Sequence, residues 1–544
     1  MASITARAAR GERVLPRLLT GEDTASFLRD AANTPGGHTP ELAIPRTEAE
    51  LAALLAARDR VLVIGAQSSL TGGATPFGES LIATRAFDRL DIDAEARLAT
   101  VGAGVALVTL QDALREEGLF FPPVPTYDGA FIGGAAATNA AGARTFKYGA
   151  TRPWIEGLTV VLACGEVLEL RRGRCVSAGE PFAIQTSAGV ITVPIPTDRL
   201  PDVAKCSAGY PSGPPLDLVD LFIGAEGTLG IVTELVLKLE PLRSRTLWGF
   251  VTLATEAAAL ELAGRMRAAS RETWQSGDAL GLDIAAIESL DGLSLRLLRE
   301  EGEDRKQGVE LPEEHAAALL FEVELPAELD DEALTDQMAD ALEGGEADGP
   351  VARLVKLLVE FDAVDGLEVA MPGDRRRAEQ LFALRDSVPT IVNHRIRDAQ
   401  RDADGRIQKT AGDMIVPFER LGEMITALRS AFAARGLEAA IWGHISDGNL
   451  HPNVLAKSYE DVVRGKEALL EVGRRVVELG GSPLAEHGVG RNPMKLAMLE
   501  LLRGADGLAG LRTVKAALDP AGKLAPGVLL AAGPEAADST GSTD

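Results

Sequence analysis

Two histidines, His444 and His451, lie in the stretch Ile441 to Val454, which reads I-W-G-H-I-S-D-G-N-L-H-P-N-V. Between them, Asp447-Gly448 is a two-residue hairpin signal, because both central residues of a type I′ turn need φ > 0. Counting outward from that turn places His444 directly opposite His451. Directly paired residues on neighbouring strands project from one face with Cβ atoms roughly 4.5–5.5 Å apart. That is close enough for two imidazoles to bind one metal ion. A second segment, Ala485-Glu486-His487-Gly488, offers a carboxylate ligand and a free base. The chain holds six histidines, and half of them fall in these two segments. One histidine at a strand edge is usually a half-buried polar residue. Two facing each other across a turn, with Glu-His nearby, favour a metal-assisted site. The inference depends on register, since a slip of one residue turns the side chains to the other face.

The elements that must carry these residues are only partly legible. Pro45 to Ala57 predicts a short helix, with Leu51, Leu54 and Leu55 at helical spacing. Arg60 to Ile64 predicts a strand that runs into Gly65-Ala66-Gln67-Ser68-Ser69-Leu70-Thr71-Gly72-Gly73-Ala74. Successive N–H groups in such a loop suit an anion-binding nest, and a plain surface loop fits the same residues equally well. The loop is not a Walker motif, and the nearest approach to a Rossmann fingerprint, Gly102-Ala103-Gly104-Val105, lacks the third glycine. That segment reads as a turn before a helix from Leu107 to Glu117. Gly129 to Gly142, rich in Gly and Ala, suits a backbone lying flat against a large planar ligand. Leu158 to Leu162 and Val167 to Leu170 predict a hairpin about Cys164-Gly165. The first 40 residues and residues 171–215 read as irregular. Gly224 to Val232 predicts a tight turn entering the strand Thr233 to Leu239, which Pro241 ends. Beyond it, long Ala/Leu/Glu/Arg segments alternate with strands such as Leu319 to Leu325, and Asp330 to Gly349 reads as an exposed acidic insertion. A helix ends at Val514 to Leu518 before Asp519-Pro520, and the last residues read as a disordered tail.

A chain of 544 residues is too long for one compact core, so at least two domains are expected. Hydrophobic residues at 46% and charged residues at 25% give an ordinary globular balance. A net charge of −25 argues against a nucleic-acid partner and against tight docking on an anionic membrane. No apolar run approaches the roughly 20 residues of a transmembrane helix. Cys164, Cys175 and Cys206 include no C-x-x-C pair, which excludes a disulfide framework and a chain-borne iron–sulfur cluster. A reducing, cytoplasmic setting fits, with peripheral membrane contact left open. Arg7, Arg10, Arg13 and Arg17 are similar to a transit-peptide pattern, although a basic arm explains them as well.

Four motifs in order carry a family resemblance: I-G-A-Q-S-S-L-T-G-G at 64–73, G-G-A-A-A-T-N-A-A-G at 133–142, G-A-E-G-T-L-G-I-V at 224–232, and H-I-S-D-G-N-L-H with A-E-H-G-V-G. Together they resemble flavoenzymes of the vanillyl-alcohol-oxidase superfamily, and within it the D-lactate and D-2-hydroxyglutarate dehydrogenases and the glycolate oxidase flavin subunit. The resemblance implies an α+β fold. An FAD-binding domain of the PCMH type would span 41–241 after an N-terminal arm, 1–40. A ferredoxin-like α+β substrate cap would span 242–505. A segment over 506–530 would return to the FAD domain, ahead of a disordered tail, 531–544.

The resemblance also assigns roles. Gly65, Ala66, Gln67, Ser68, Ser69, Thr71 and Gly72 would cradle the pyrophosphate. Gly133, Gly134, Thr138, Gly142, Glu226, Gly230 and Ile231 would line the adenosine and isoalloxazine parts. FAD would be noncovalent, since no histidine lies between His38 and His315. His444, His451 and Glu486 would bind a divalent metal, expected to be zinc. His487 would be the base, Asn449 a substrate contact, and Arg385, in L-F-A-L-R-D, the partner of the substrate carboxylate. The implied reaction is oxidation of a D-2-hydroxy acid to the 2-oxo acid, metal-assisted, with hydride transfer to flavin N5. Electrons would leave to a cytochrome, a quinone or an electron-transfer flavoprotein, and a homodimer is left open. Phe382, Asp386 and Ser446 depart from the family pattern. Ala411 stands where hydroxyglutarate dehydrogenases place a lysine, with Lys409 two residues earlier, so a distal carboxylate is not obviously provided for. The alternatives are a D-2-hydroxyglutarate or glycolate dehydrogenase, an ether-lipid synthase, whose histidine-rich cluster is not seen here, and a non-catalytic flavin subunit.

Overall fold

The strand Val61–Ile64 is nearly buried throughout and runs parallel to Ser80–Ala83, which in turn runs parallel to Leu42–Ala43. The computed structural model describes residues 2–123, 125, 127–243 and 245–531, so from 532 onward the expected tail lies outside the described residues. The helix Glu48–Ala57 covers this small sheet. Thr47 caps it by accepting a hydrogen bond from the Glu50 N–H, and Leu51, Leu54 and Leu55 are buried beneath it. A second sheet of six strands follows the order Arg7–Ala8, Glu166–Arg171, Ile155–Val161, Ile231–Lys238, Leu98–Gly102, Leu90–Asp93. Its pairings are all antiparallel. The expected hairpin is the pair Ile155–Val161 and Glu166–Arg171.

Four segments differ from expectation. Within 1–40, Ser3–Thr5 pairs in parallel with Phe182–Thr186, and within 171–215 that strand forms a hairpin with Gly189–Val193. Each strand is short, and Ser3–Thr5 takes its partner from far away in sequence, so local pattern carries little signal. The small-residue stretch 129–142 does not lie flat. Ile132–Thr138 is a short helix, and the absence of a side chain at Gly133 lets it press on Ala103, whose Cβ would be 2.7 Å from a Cβ at that glycine. The acidic segment 330–349 holds a helix, Asp331–Leu342, that packs against Pro350–Glu360 and buries Leu334 and Ala341. Its apolar residues are few but recur at helical spacing among the acids.

In the C-terminal half, Thr246–Leu253, Ile284–Asp291, Ala317–Glu324 and Glu368–Ala370 stand in the spatial order fourth, first, third, second. The helix Glu256–Ser276 joins the first two, and the helices Asp331–Leu342 and Pro350–Glu360 precede the fourth. This is the βαββαβ plan of a ferredoxin-like layer. The outer edge of Ile284–Asp291 is not left bare. Ala439–Gly443 pairs with it, followed by Asn449–Val454 and Thr410–Ala411. The long helix Arg375–Asp402 buries Leu381, Leu384, Arg385 and Val388 along one stripe. The final helix, Pro493–Leu518, breaks at Gly504, whose φ of 65° is not helical.

Charged contacts join the halves. Arg144 makes a two-toothed contact with Glu322 at 2.6 and 2.8 Å, and Lys147 reaches Asp283 and Glu324 at 2.6 Å each. After the final helix, Ala525 N–H donates to Val61 O at 2.8 Å, so the end of the described chain returns to the first sheet. Glu226, at a left-handed φ of 51°, accepts the N–H groups of Val489 and Gly490 at 2.8 Å each. No helix among the described residues is long and apolar enough to cross a membrane.

Burial pushes the Glu226 carboxyl up from 4.5 to about 7, with the two N–H groups and Lys495 offsetting only part of the shift. The folded chain therefore keeps a proton there that the unfolded chain has released. The stability this contributes is present below the ordinary carboxyl value and is lost as pH rises through about 7. Glu226→Gln is neutral at every pH. Its melting temperature is expected to fall less steeply than that of the parent protein between about pH 5 and 8, as read by thermal denaturation. Parallel curves would show that Glu226 titrates normally.

Candidate active site

The direct pairing of His444 with His451 does not form. Trp442 pairs with His451 and Ile441 with Pro452. The chain reverses through a single 3-10 turn, Ile445–Asp447, closed by Gly448 at φ 86°. Asp447 does not adopt a positive φ, so the two-residue type I′ turn is replaced by a longer one. Two contacts stabilise the longer loop. Ser446 Oγ accepts the Ile287 N–H at 3.2 Å, and Asp447 Oδ1 accepts the Asn449 N–H at 3.1 Å. Relative to the expected register the pairing is displaced by an even number of residues, which preserves the side-chain face. The two imidazoles still meet, with centroids 5.2 Å apart and planes at 88°.

They meet at Glu486. Its Oε1 lies 3.3 Å from His444 Nε2, 3.4 Å from His451 Nε2 and 3.7 Å from His487 Nε2. Behind each imidazole stands a carboxylate. His444 Nδ1 donates to Glu288 Oε1, and its Nε2 faces the centre. Glu288 arrives there because Ser289, the next residue, pairs with Gly443, the residue before His444. Asp413 Oδ2 is 2.9 Å from His487 Nδ1 and accepts the backbone N–H groups of Glu486 and His487 at 3.0 Å each. Asp413 Oδ1 lies 3.5 Å from His451 Nδ1.

Burial alone would lower the pKa of His444, but Glu288 and then Glu486 outweigh it and raise the value to about 9. For His451 burial prevails over Asp413 and Glu486, and the value falls to about 4. Burial opposes the ionised form of Glu486 as well, yet Lys205 and His444 hold its carboxyl well below the usual range. The protein thus sustains an anionic carboxylate among imidazoles inside its core, which fits a cation site. Asp413, His451, Glu486 and His487 each offer one ligand atom, all within 4.8 Å of one another. His444 stands outside that group of four but touches its carboxylate. Among the described residues, Asn449 Oδ1, Asn453 Oδ1, His451 Nδ1 and Lys495 Nζ are buried without hydrogen-bond partners. Such atoms are rare in native cores and mark a place for a polar guest.

Other expected residues fall where the fold puts them. Arg385 is buried, with Nε 2.7 Å from Glu288 Oε2 and Nη1 3.1 Å from Asp386 Oδ1. Its Nη2 bonds no group among the described residues. Asn449 does not present its amide to the centre, because Nδ2 donates to Asp413 Oδ1 and Met414 O at 3.1 and 2.9 Å. Phe382 stacks edge-on with Trp248 at 5.9 Å. In the first loop Gln67 turns inward and donates to Phe27 O and Ala74 O at 2.8 and 2.9 Å. Thr71 is buried, its Oγ1 is 3.2 Å from Ser69 Oγ, and Gly72 takes φ 74°. Gly65, Ala66 and Ser68 are half-buried beside them. A Cβ at Gly134 would meet nothing within 4 Å, so the side of the short helix holding Gly134 and, four residues on, Thr138 stands open. Gly142 N–H is taken by Thr145 Oγ1 at 3.1 Å. Gly230 is packed on Val160, and Ile231 lies in the sheet opposite Val161. The carboxylate of Glu226 faces the Glu-His loop rather than this open side.

Three residues of the centre were not singled out from sequence. Glu288 had a signal, an acid in the middle of the apolar strand I-A-A-I-E-S-L-D. Asp413, in the segment D-M-I-V-P, carries no local sign of a role beside imidazoles. Lys205 lies in an irregular stretch and carried no signal.

The model for an FAD binding domain matches residues 40–171, and that for the C-terminal domain of FAD linked oxidases matches 257–529, half of the chain. The chain is 29% identical to the glycolate oxidase subunit GlcD of Bacillus subtilis over 90% of this chain and 88% of that protein. It is 28% identical to the mitochondrial D-2-hydroxyglutarate dehydrogenase of Bos taurus over 95% of this chain and 81% of that one. It is 26% identical to a D-lactate dehydrogenase of Anaerostipes hadrus over 94% of each. Among solved structures, an alkyldihydroxyacetonephosphate synthase superposes with a TM-score of 0.61 at 14% identity, over 94% of this chain and 83% of that one. That likeness concerns the fold, which is of the PCMH type with a mixed α+β second half. The chain belongs to the FAD-linked oxidases and is an FAD-dependent oxidoreductase that acts on a small molecule.

Proposed function

We propose that the protein oxidises a D-2-hydroxy monocarboxylate of the D-lactate type to its 2-oxo acid, with a divalent metal in the centre around Glu486. The carrying observation is the approach of three imidazole Nε2 atoms to one carboxylate oxygen, at 3.3, 3.4 and 3.7 Å. The nitrogen and oxygen donors suit zinc, and His444, His451 and Glu486 would hold it with positions left open for substrate. FAD would lie along the half-buried loop 65–72 and the open side at Gly134. The names of the relatives, which concern glycolate, D-lactate and D-2-hydroxyglutarate, support the substrate class.

FAD, when bound, supplies the acceptor for the hydride leaving the α-carbon, and a metal, when bound, supplies Lewis acidity toward the hydroxyl. The chain supplies grip and proton transfer. Arg385 Nη2 pairs with the substrate carboxylate, while Glu288 and Asp386 fix the guanidinium in place. His487 takes the hydroxyl proton at Nε2, with Nδ1 tethered by Asp413 at 2.9 Å. Exposure separates its role from those of the other two imidazoles. The His487 side chain is 29% exposed, against 1% for His444 and 7% for His451, so it is the imidazole that a substrate can reach. Oxidation leaves the 2-oxo acid, and the electrons pass on to a cytochrome, a quinone or an electron-transfer flavoprotein.

A monocarboxylate is favoured over a dicarboxylate because Ala411, paired with Asn453 at the sheet edge, supplies no cation. His487→Ala is expected to cut turnover of D-lactate by about 10²–10⁴-fold while the yellow FAD spectrum of the purified protein is retained. Turnover near the parent value would remove His487 from the reaction. Mixed anaerobically with the parent protein, D-lactate is expected to bleach the flavin band, and L-lactate is expected to leave it intact. If D-2-hydroxyglutarate bleaches and D-lactate does not, the substrate is a dicarboxylate and Lys409 becomes the residue to test.

A further inference from the structure

Lys205 is buried to 2% exposure and reaches the centre from the N-terminal half, on a segment between the strands Gly189–Val193 and Leu216–Asp217. Its Nζ donates to Glu486 Oε2 at 2.8 Å and forms an ion pair with Asp447 Oδ2 at 3.1 Å, an oxygen that has no hydrogen-bond partner among the described residues. The oxygen it takes from Glu486 is the one that does not face the imidazoles. Asp447 sits between His444 and His451 in the chain, and its Oδ1 accepts the Asn449 N–H at 3.1 Å. The segment is pinned on both sides. Ser207 N–H donates to Leu484 O and Ser207 Oγ to Thr138 O, at 3.0 Å each, and Arg503 Nε donates to Ala208 O at 2.8 Å. The backbone that carries Lys205 is therefore fixed relative to the Glu486 loop.

We propose that Lys205 is a positioning residue that restricts Glu486 to one coordinating oxygen and keeps Asp447 out of the metal's coordination shell, so that substrate finds open positions there. This rests on the metal reading given above. An ammonium and a dication then share one buried carboxylate. Two opposed effects attend the loss of the ammonium. Disturbing a group that orients a ligand weakens metal binding by about 10–100-fold. Against that, like charges a few ångströms apart in a buried place repel far more strongly than in water. Removing the ammonium also frees two carboxylate oxygens, Glu486 Oε2 and Asp447 Oδ2, to coordinate. The second effect exceeds the first, so the site without Lys205 binds the ion more tightly and leaves it less open to substrate.

The test uses full-length, FAD-loaded protein and zinc alone as the probe. Zinc affinity is measured by chelator competition for the parent protein and for Lys205→Met, which keeps length and removes charge. Lys205→Met is expected to bind zinc at least tenfold more tightly, to melt at a lower temperature without zinc, and to gain more on zinc addition than the parent protein does. X-ray absorption at the zinc edge of protein purified from zinc-supplemented cells is expected to show more oxygen or nitrogen neighbours in the variant. That measurement needs no zinc-free fold. Equal or weaker zinc binding by the variant, or an unchanged neighbour count, overturns the role given to Lys205 and leaves the metal reading standing. A parent protein that binds no zinc overturns both.

Discussion

The carboxylate of Glu486 is the contact on which the rest of the centre depends. One of its oxygens faces three imidazole nitrogens and the other faces the Lys205 ammonium at 2.8 Å. An isolated carboxylate in such a place would take up a proton sooner than remain charged. Here it stays anionic because charge is supplied on both sides, and each supplier is itself held. His444 is held by Glu288, His487 by Asp413, and Lys205 by a segment bonded to Leu484 and Thr138. Breaking one member of a buried network of this kind costs about 3–5 kcal/mol when it leaves a charge unpaired. The arrangement therefore persists as a unit.

The fold explains why so many charged groups converge. A ferredoxin-like sheet would ordinarily end at the edge strand Ile284–Asp291. Adding Ala439–Gly443 to that edge places Gly443 beside Ser289, and with it His444 beside Glu288. Asp413 is delivered by the next strands outward, since Met414 pairs with Leu450 and Asp413 bridges Leu484. The loop holding Glu486 and His487 is then clamped from the other half of the molecule. Glu226 takes the N–H groups of Val489 and Gly490, and Arg491 N–H donates to Thr71 O in the first loop at 3.0 Å. The imidazole centre and the loop expected to hold pyrophosphate thus share one backbone connection.

Short-range pattern was enough to find His444, His451, Glu486 and His487, because unusual residue types clustered within a few positions. The helix at 48–57, the strand at 61–64 and the hairpin about Gly165 were legible for the same reason, each being a local apolar repeat. The register of the histidine hairpin was not. A two-residue turn at Asp447-Gly448 has the stronger local propensity, but Ser446 is bonded to Ile287, a residue far away in sequence. Tertiary contact overrode turn chemistry there. The displacement was even, and the face survived the error. Glu288, Asp413 and Lys205 come from three separate segments, and nothing within a dozen residues of any of them marks its destination. The helix Asp331–Leu342 was hidden by its own acids, which conceal a narrow apolar stripe.

The division of exposure among the imidazoles follows from this geometry. His444, at the start of the 3-10 turn, and His451, on its strand, are both enclosed, so their inner nitrogens can serve only something that is itself enclosed. His487 lies on a loop, fixed at Nδ1 but partly open. A base must lose and regain a proton in each cycle, and a ligand must not. At His451 burial disfavours the charged form, which suits holding an ion and does not suit passing a proton. On the proposed reading, proton transfer falls to the imidazole that the fold ties by a single carboxylate and leaves reachable, and the ion falls to the two it encloses.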